Sequence, residues 1–125
     1  AGHEVRRREI IPDDPEVMTP LLLSLQGDED VAAVLMTGGT GITSRDQTYE
    51  TVTQLITRPI PGYGELLRML SYEQVGAAAM LSRATAGLMQ QTVVLTMPGS
   101  PRAVELAMQK IILPELCHLV REARR

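Results

Sequence analysis

Three short turns carry the residues best suited to chemistry: Pro12-Asp13-Asp14-Pro15, Gly38-Gly39-Thr40-Gly41 and Pro98-Gly99-Ser100-Pro101. The second places three glycines in four positions directly behind the apolar run Val31–Met36. Without Cβ atoms its backbone can approach a ligand closely and turn N–H groups toward phosphate oxygens. A tight strand-to-helix turn that needs positive φ explains the same glycines equally well. It is not a Walker loop, because no Lys-Ser or Lys-Thr pair follows, and it is not G-x-G-x-x-G. Arg45, Asp46, Thr48 and Glu50 come next. Asp46, beside a phosphate-cradling loop, reads as a Mg²⁺ ligand, with helix capping as the plainer role. For Glu50 the plainer role, a favourable first-turn interaction with a helix dipole, is preferred.

Two further pairs belong with these. Ser100-Pro101 is a strong helix start, and the N-terminus it creates is also an anion site. Ser82-Arg83 suits a second phosphate or a polar ring, and an ion pair between Arg83 and a structural carboxylate suits it equally. His3 and His118 lie at opposite ends of the chain, so neither a metal cluster nor a His-based triad is expected. Cys117 reads as a small core residue. Glycines, Asp, Arg and Ser without an obvious general base fit phosphoryl or nucleotidyl transfer, where positioning and charge neutralisation dominate.

The elements that must hold these turns are α/β in pattern. Strands are expected at Glu4–Ile11, Val31–Met36 and Thr92–Met97, the second continuously apolar as in a sheet covered on both faces and the third rich in β-branched residues and nearly as apolar. Each is followed by one of the three turns and a helix-start signal, which implies parallel pairing with right-handed crossovers. Ligands of such sheets bind outside the carboxyl ends of the strands, so all three turns should gather at one edge. Met18, Leu21, Leu22 and Leu25 form a helical stripe interrupted by Pro20, which kinks the helix or starts it late behind Thr19. Thr48 should cap a second helix that ends at Arg58–Gly62. A third is expected near Glu65–Leu70, and Ser71 with Gln74 has the spacing of a capping box that starts a fourth. A short extended segment should turn between Gly87 and Gln91. Pro101 opens the last helix, kinked or restarted at Pro114.

A chain of 125 residues is one domain on ordinary expectation. Its 15 acidic and 12 basic residues, no Phe, no Trp and three Tyr give neither the field nor the stacking platforms of a nucleic-acid binder. Arg6-Arg7-Arg8 reads as a charged edge strand. No apolar run approaches the roughly 18 residues of a membrane span. One cysteine fits a reducing cytoplasm.

The order Gly38-Gly39-Thr40-Gly41-Ile42-Thr43-Ser44-Arg45-Asp46, Thr48, Glu50, then Pro61-Gly62-Tyr63-Gly64-Glu65-Leu66, resembles the molybdenum cofactor biosynthesis domain family. Ala79-Met80-Leu81-Ser82-Arg83-Ala84 and Met97-Pro98-Gly99-Ser100-Pro101 extend the likeness over nearly the whole chain. The family includes the bacterial proteins MogA and MoaB and the G domains of gephyrin and its plant counterpart. Gly64 to Glu73 is most similar to the MoaB branch. The resemblance implies a three-layer α/β/α sandwich with a mostly parallel central sheet, assembled as a homotrimer or homohexamer. It implies Mg²⁺-dependent adenylylation of molybdopterin by ATP in the cytoplasm. Mapped onto this chain, Gly38, Gly39, Thr40 and Gly41 would lie against phosphate. Asp46 with Asp13 would serve as the catalytic and metal-binding carboxylates, and Ser82 and the Pro98-Gly99-Ser100 loop would line the molybdopterin side. Family members also carry a further strand, ending in Ser-Asp, and a helix before the region matching Ala1–Val5, so this chain is expected to lack both. The remaining alternatives are an inactive molybdopterin-binding or scaffold protein of the same pathway and an unrelated nucleotide-dependent transferase.

Overall fold

Asp14 starts the first regular element in the structure, a computed structural model that describes residues 2–125. Its side chain accepts the Glu16 N–H at 2.9 Å, and Pro15 occupies the first turn of helix α1 (Pro15–Gln26), where its missing donor is not needed. This strong start overrides the late one expected behind Thr19. Pro20 sits exposed inside the helix and forfeits one backbone bond, while Met18 and Leu22 are buried on the inward face.

The sheet has the order β1-β4-β3-β2. Strand β1 (Ala33–Thr37) runs parallel to β4 (Thr92–Met97), in register from Ala33 opposite Val93 to Thr37 opposite Met97. Strand β3 (Ala86–Met89) forms a hairpin with β4 through Gln90 and Gln91, Gln90 having φ 57°. The extended segment expected before Thr92 is therefore a full strand, antiparallel to β4. The two-residue β2 (Arg58–Pro59) closes that edge against Leu88 and Gly87, where a proline is tolerated. The α/β class holds, with the parallel pair at β1 and β4 and antiparallel pairs beyond it.

Helices cover both faces. Leu22 of α1 and Val52 of α2 (Thr48–Leu55) pack with Met89 and Val94 on one face. On the other, Val93, Leu95 and Met97 meet Tyr63 and Leu67 of α3 (Pro61–Val75), Ala107 of α4 (Pro101–Ala107) and Leu116 of α5 (Leu113–Ala123). Strand β4 is buried along its whole length, as its apolar sequence demands. The Tyr63 hydroxyl donates to the Thr96 carbonyl at 2.6 Å, and burial pushes the phenol's pKa up. Helix α3 is one helix where two were expected. Ser71 makes no cap, and the helix ends only at Gly76, whose φ of 66° suits a glycine. Before Pro114, a π-helical stretch Met108–Ile112 joins α4 to α5, absorbing the donor that proline lacks.

Residues 2–10 form neither strand nor helix, which corrects the expectation of a strand at Glu4–Ile11. A strand needs a ladder partner, and β1 pairs only with β4 among the described residues. An exposed ion pair, Arg6 with Asp30 at 3.6 Å, ties this segment to the approach to β1. Between the two lies a groove of about 1530 Å³ lined by Met18, Leu22, Leu35, Val104 and Leu116. No described helix is long and apolar enough to cross a membrane.

Candidate functional site

The carboxyl ends of β1 and β4 deliver two of the turns side by side. The ladder extends into the glycine loop, where the Gly38 N–H donates to the Met97 carbonyl at 2.8 Å. A Cβ on Gly99 would lie 3.5 Å from Gly38 Cα, so the two loops abut. Gly38 and Gly39 have φ 91° and 70°, the left-handed region that glycine enters without penalty. Asp13 brings the third turn to the same place. Its Oδ1 accepts the Gln47 N–H at 3.2 Å, and a Cβ on Gly39 would fall 2.6 Å from its Oδ2 and closer still to Thr48 Oγ1. The three turns therefore meet on one rim, two brought there by the parallel pairing of β1 and β4 and the third by the bond between Asp13 and the Gln47 N–H.

Helix α2 starts differently from expectation. Gln47 is the capping residue, its side chain donating to the Ser44 carbonyl at 2.9 Å and not capping the helix, and Thr48 is the first helical residue. Thr48 is drawn inward because its N–H donates to the Gly39 carbonyl at 3.1 Å and its buried hydroxyl faces Met18 Sδ at 3.9 Å.

Asp46 does not cap α2. Its Oδ2 accepts from the Thr43 hydroxyl at 2.7 Å and the Thr43 N–H at 3.0 Å. These bonds hold its carboxyl below the ordinary carboxylate value, the Thr43 hydroxyl foremost and Arg83 adding a smaller pull. Asp46 therefore stays ionised at neutral pH, and its Oδ1 takes no part in the bonds to Thr43. Thr43 went unnoticed in the sequence, although Thr-x-x-Asp is a spacing at which such local bonds form.

Arg83 takes the structural alternative. Its guanidinium forks onto Glu50, with Nη1 to Oε2 and Nη2 to Oε1, the latter at 3.2 Å. Its Nε donates to the Gly41 carbonyl at 2.8 Å, and Nη2 also reaches the Asp46 carbonyl at 3.3 Å. The guanidinium lies 4.9 Å from the centroid of the Tyr49 ring, a cation–π stack between residues far apart in sequence that no local signal announces. Glu50 is thus an ion-pair partner more than a dipole residue. The Arg83 bond depresses its pKa, and Glu50 in turn raises that of Arg83.

The backbone of Arg83 belongs to the rim as well, donating to the carbonyl of buried Thr40 at 2.7 Å. Ser82 is half-buried, and its Oγ accepts the Ala84 N–H at 3.3 Å. Ser100 caps α4 by accepting the Ala103 N–H at 3.2 Å, behind Pro98 and Gly99. The Gly39 and Thr40 N–H groups donate to no acceptor among the described residues. No group of three or more His, Cys, Asp and Glu that could hold a metal occurs among the described residues. The rim thus combines spare backbone donors with two separate carboxylates, a pattern suited to an anion bridged to the protein through a cation.

Known proteins share this sequence pattern and fold. Residues 1–118 match the family described as a probable molybdopterin binding domain. Molybdenum cofactor biosynthesis protein B of Bacillus subtilis is 50% identical over 126 aligned residues, covering 100% of this chain and 74% of that protein. The Bacillus cereus protein of the same name is 52% identical, covering 100% and 75%. Among solved structures, a molybdenum cofactor biosynthesis protein B superposes with a TM-score of 0.94 at 50% identity, covering 99% of this chain and 78% of that one. The tungsten cofactor synthesizing protein MoaB of Pyrococcus furiosus superposes at 0.82 with 40% identity, covering 94% and 74%. The rim built from Asp13, the glycine loop and Gly99 therefore sits in a chain that belongs to the molybdenum cofactor biosynthesis family, and its role lies in that pathway.

Proposed function

We propose that this chain adenylylates molybdopterin with Mg-ATP. The observation that carries the reading is the meeting of three sequence-distant turns on one rim, with Gly39 and Thr40 N–H groups unspent beside ionised Asp46. In the proposed step a terminal phosphate oxygen of molybdopterin attacks the α-phosphorus of ATP. A new P–O–P bond forms, the bond from the α-phosphorus to the bridging oxygen breaks, and pyrophosphate leaves with that electron pair. The attacking oxygen is already ionised, so no general base is needed. The glycine loop would hold the phosphates, and Ser82 and the Pro98–Ser100 loop would face the pterin.

Asp46 and Asp13 suit Mg²⁺, which is commonly held by one or two carboxylates with substrate phosphates completing the shell. Each has one oxygen outside the hydrogen bonds described above. Bound there, the ion would neutralise phosphate charge during displacement. The rest is the work of protein groups: Thr43 keeps Asp46 charged and aimed, and the Gln47 N–H aims Asp13.

The same reading carries two structural proposals and a cytoplasmic location, which the lone cysteine favours. Self-association as a trimer or hexamer is supported by Leu66, Met69 and Tyr72 on α3 and by Met80 beyond it, all exposed at 48% to 76%. The place of the further strand that the family resemblance implies is supported by the groove along β1, whose outer edge pairs with no strand among the described residues.

Incubation with molybdopterin and Mg-ATP tests the reaction. Adenylylated molybdopterin and pyrophosphate are expected. Molybdopterin binding without turnover would replace catalysis with a binding or scaffold role, and absence of any affinity would refute the reading.

A further inference from the structure

Arg83 looks, in the sequence, like a group waiting for a phosphate, but its bonds point elsewhere. Four of its contacts are spent on the protein: the Gly41 carbonyl through Nε, the Asp46 carbonyl through Nη2, and both oxygens of Glu50. Its own N–H holds the Thr40 carbonyl. The Tyr49 ring lies beside the guanidinium plane. These partners bracket the glycine loop: Thr40 and Gly41 at its end, Asp46 after it, and Glu50 and Tyr49 in the first turn of α2. Arg83 itself precedes β3, which is hydrogen-bonded into the sheet. It therefore links the loop between β1 and α2 to a segment next to the core.

We propose that Arg83, with Glu50, is a positioning residue that fixes the shape of the Gly38–Asp46 loop for an incoming phosphate chain and does not itself bind phosphate. This rests on the reading that the loop receives phosphate, but not on turnover. The physical requirement is a planar fork. A guanidinium satisfies two carbonyls and a carboxylate at fixed angles, whereas an ammonium is a point charge that cannot. A phosphate ligand would tolerate the change to Lys far better, because there the charge matters most.

Amide hydrogen exchange and Mg-ATP titration on Arg83→Lys, Arg83→Met and Glu50→Gln test this. Exchange at Thr43 and Asp46, whose N–H groups bond within the loop, should accelerate about tenfold or more in all three, without ligand present. Lys should fail to rescue Mg-ATP affinity, leaving it as weak as with Met. The double change Arg83→Met with Glu50→Gln should cost no more than either alone, since both remove one device. Glu50→Gln, at an exposed carboxylate, keeps the test open should Arg83 variants fold poorly. Normal affinity and unaltered loop exchange in Arg83→Lys would overturn the proposal, as would a loss of affinity in Arg83→Met with the loop's exchange unchanged. Loss of adenylylation in the parent chain would bear on the function instead, and leaves both readouts in force.

Discussion

Replacing Gly39 by Ala isolates the packing that brings Asp13 to the rim. The backbone there has φ 70°, which costs an L-residue about 1–2 kcal/mol. The new Cβ would also fall 2.6 Å from Asp13 Oδ2 and nearer to Thr48 Oγ1, and relieving such crowding typically costs about 1–3 kcal/mol. Gly38 gives the matched control: φ is 91°, but a Cβ there meets nothing within 4 Å, so only the backbone cost applies. Gly39→Ala should therefore lose about 2–5 kcal/mol and Gly38→Ala about 1–2 kcal/mol. For a chain of this size, 1 kcal/mol moves Tm by roughly 4 °C, giving falls of about 14 °C and 6 °C at mid-range. Thermal unfolding by circular dichroism measures both. Equal falls would mean that Asp13 and Thr48 do not pack against Gly39, and the geometry of the rim would be wrong.

Other outcomes follow from the same arrangement. Asp46→Asn should fold normally but cut adenylyl transfer about a hundredfold, the scale of losing one charge stabiliser, and unchanged activity would leave Asp46 as a loop tether to Thr43. The Arg83–Glu50 pair should act at all pH above Glu50's ordinary 4.5 and fade as pH falls through its depressed value, because protonation removes the charge. The stability difference between the parent chain and Glu50→Gln should therefore vanish in acid, and a difference that vanished already at pH 6 would contradict the sign. On sizing columns the protein should elute as a trimer or hexamer, and Met69→Lys should shift it toward the monomer. A clean monomer peak from the parent chain refutes self-association through α3.

Local signals served the sequence reading where structure is local. Thr92–Met97 is a strand to the residue because its apolar, β-branched run can only be a covered centre strand. The Ser100-Pro101 start holds for the same reason, since cap and proline lie next to each other. Non-local forces decided the rest. Ala86 and Gly87 have poor strand propensity, yet they pair in β3, and a Cβ on Gly87 would fall 2.5 Å from Ile56 Cγ2. Glu4–Ile11 has strand-like composition but no ladder partner among the described residues. Asp13 reaches the rim with no strand before it, held by the Gln47 N–H, but the meeting of the other two turns was legible because the parallel pairing of β1 and β4 enforces it. Which partner Arg83 would choose was not, because Glu50 lies 33 positions away.

A crystal structure with Mg²⁺ and a non-hydrolysable ATP analogue tests the central claim most directly. The phosphate chain should lie within about 3 Å of the Gly39 and Thr40 N–H groups, with the cation against Asp46 and Asp13. A nucleotide seated in the groove along β1, with the glycine loop touching no phosphate, would contradict it.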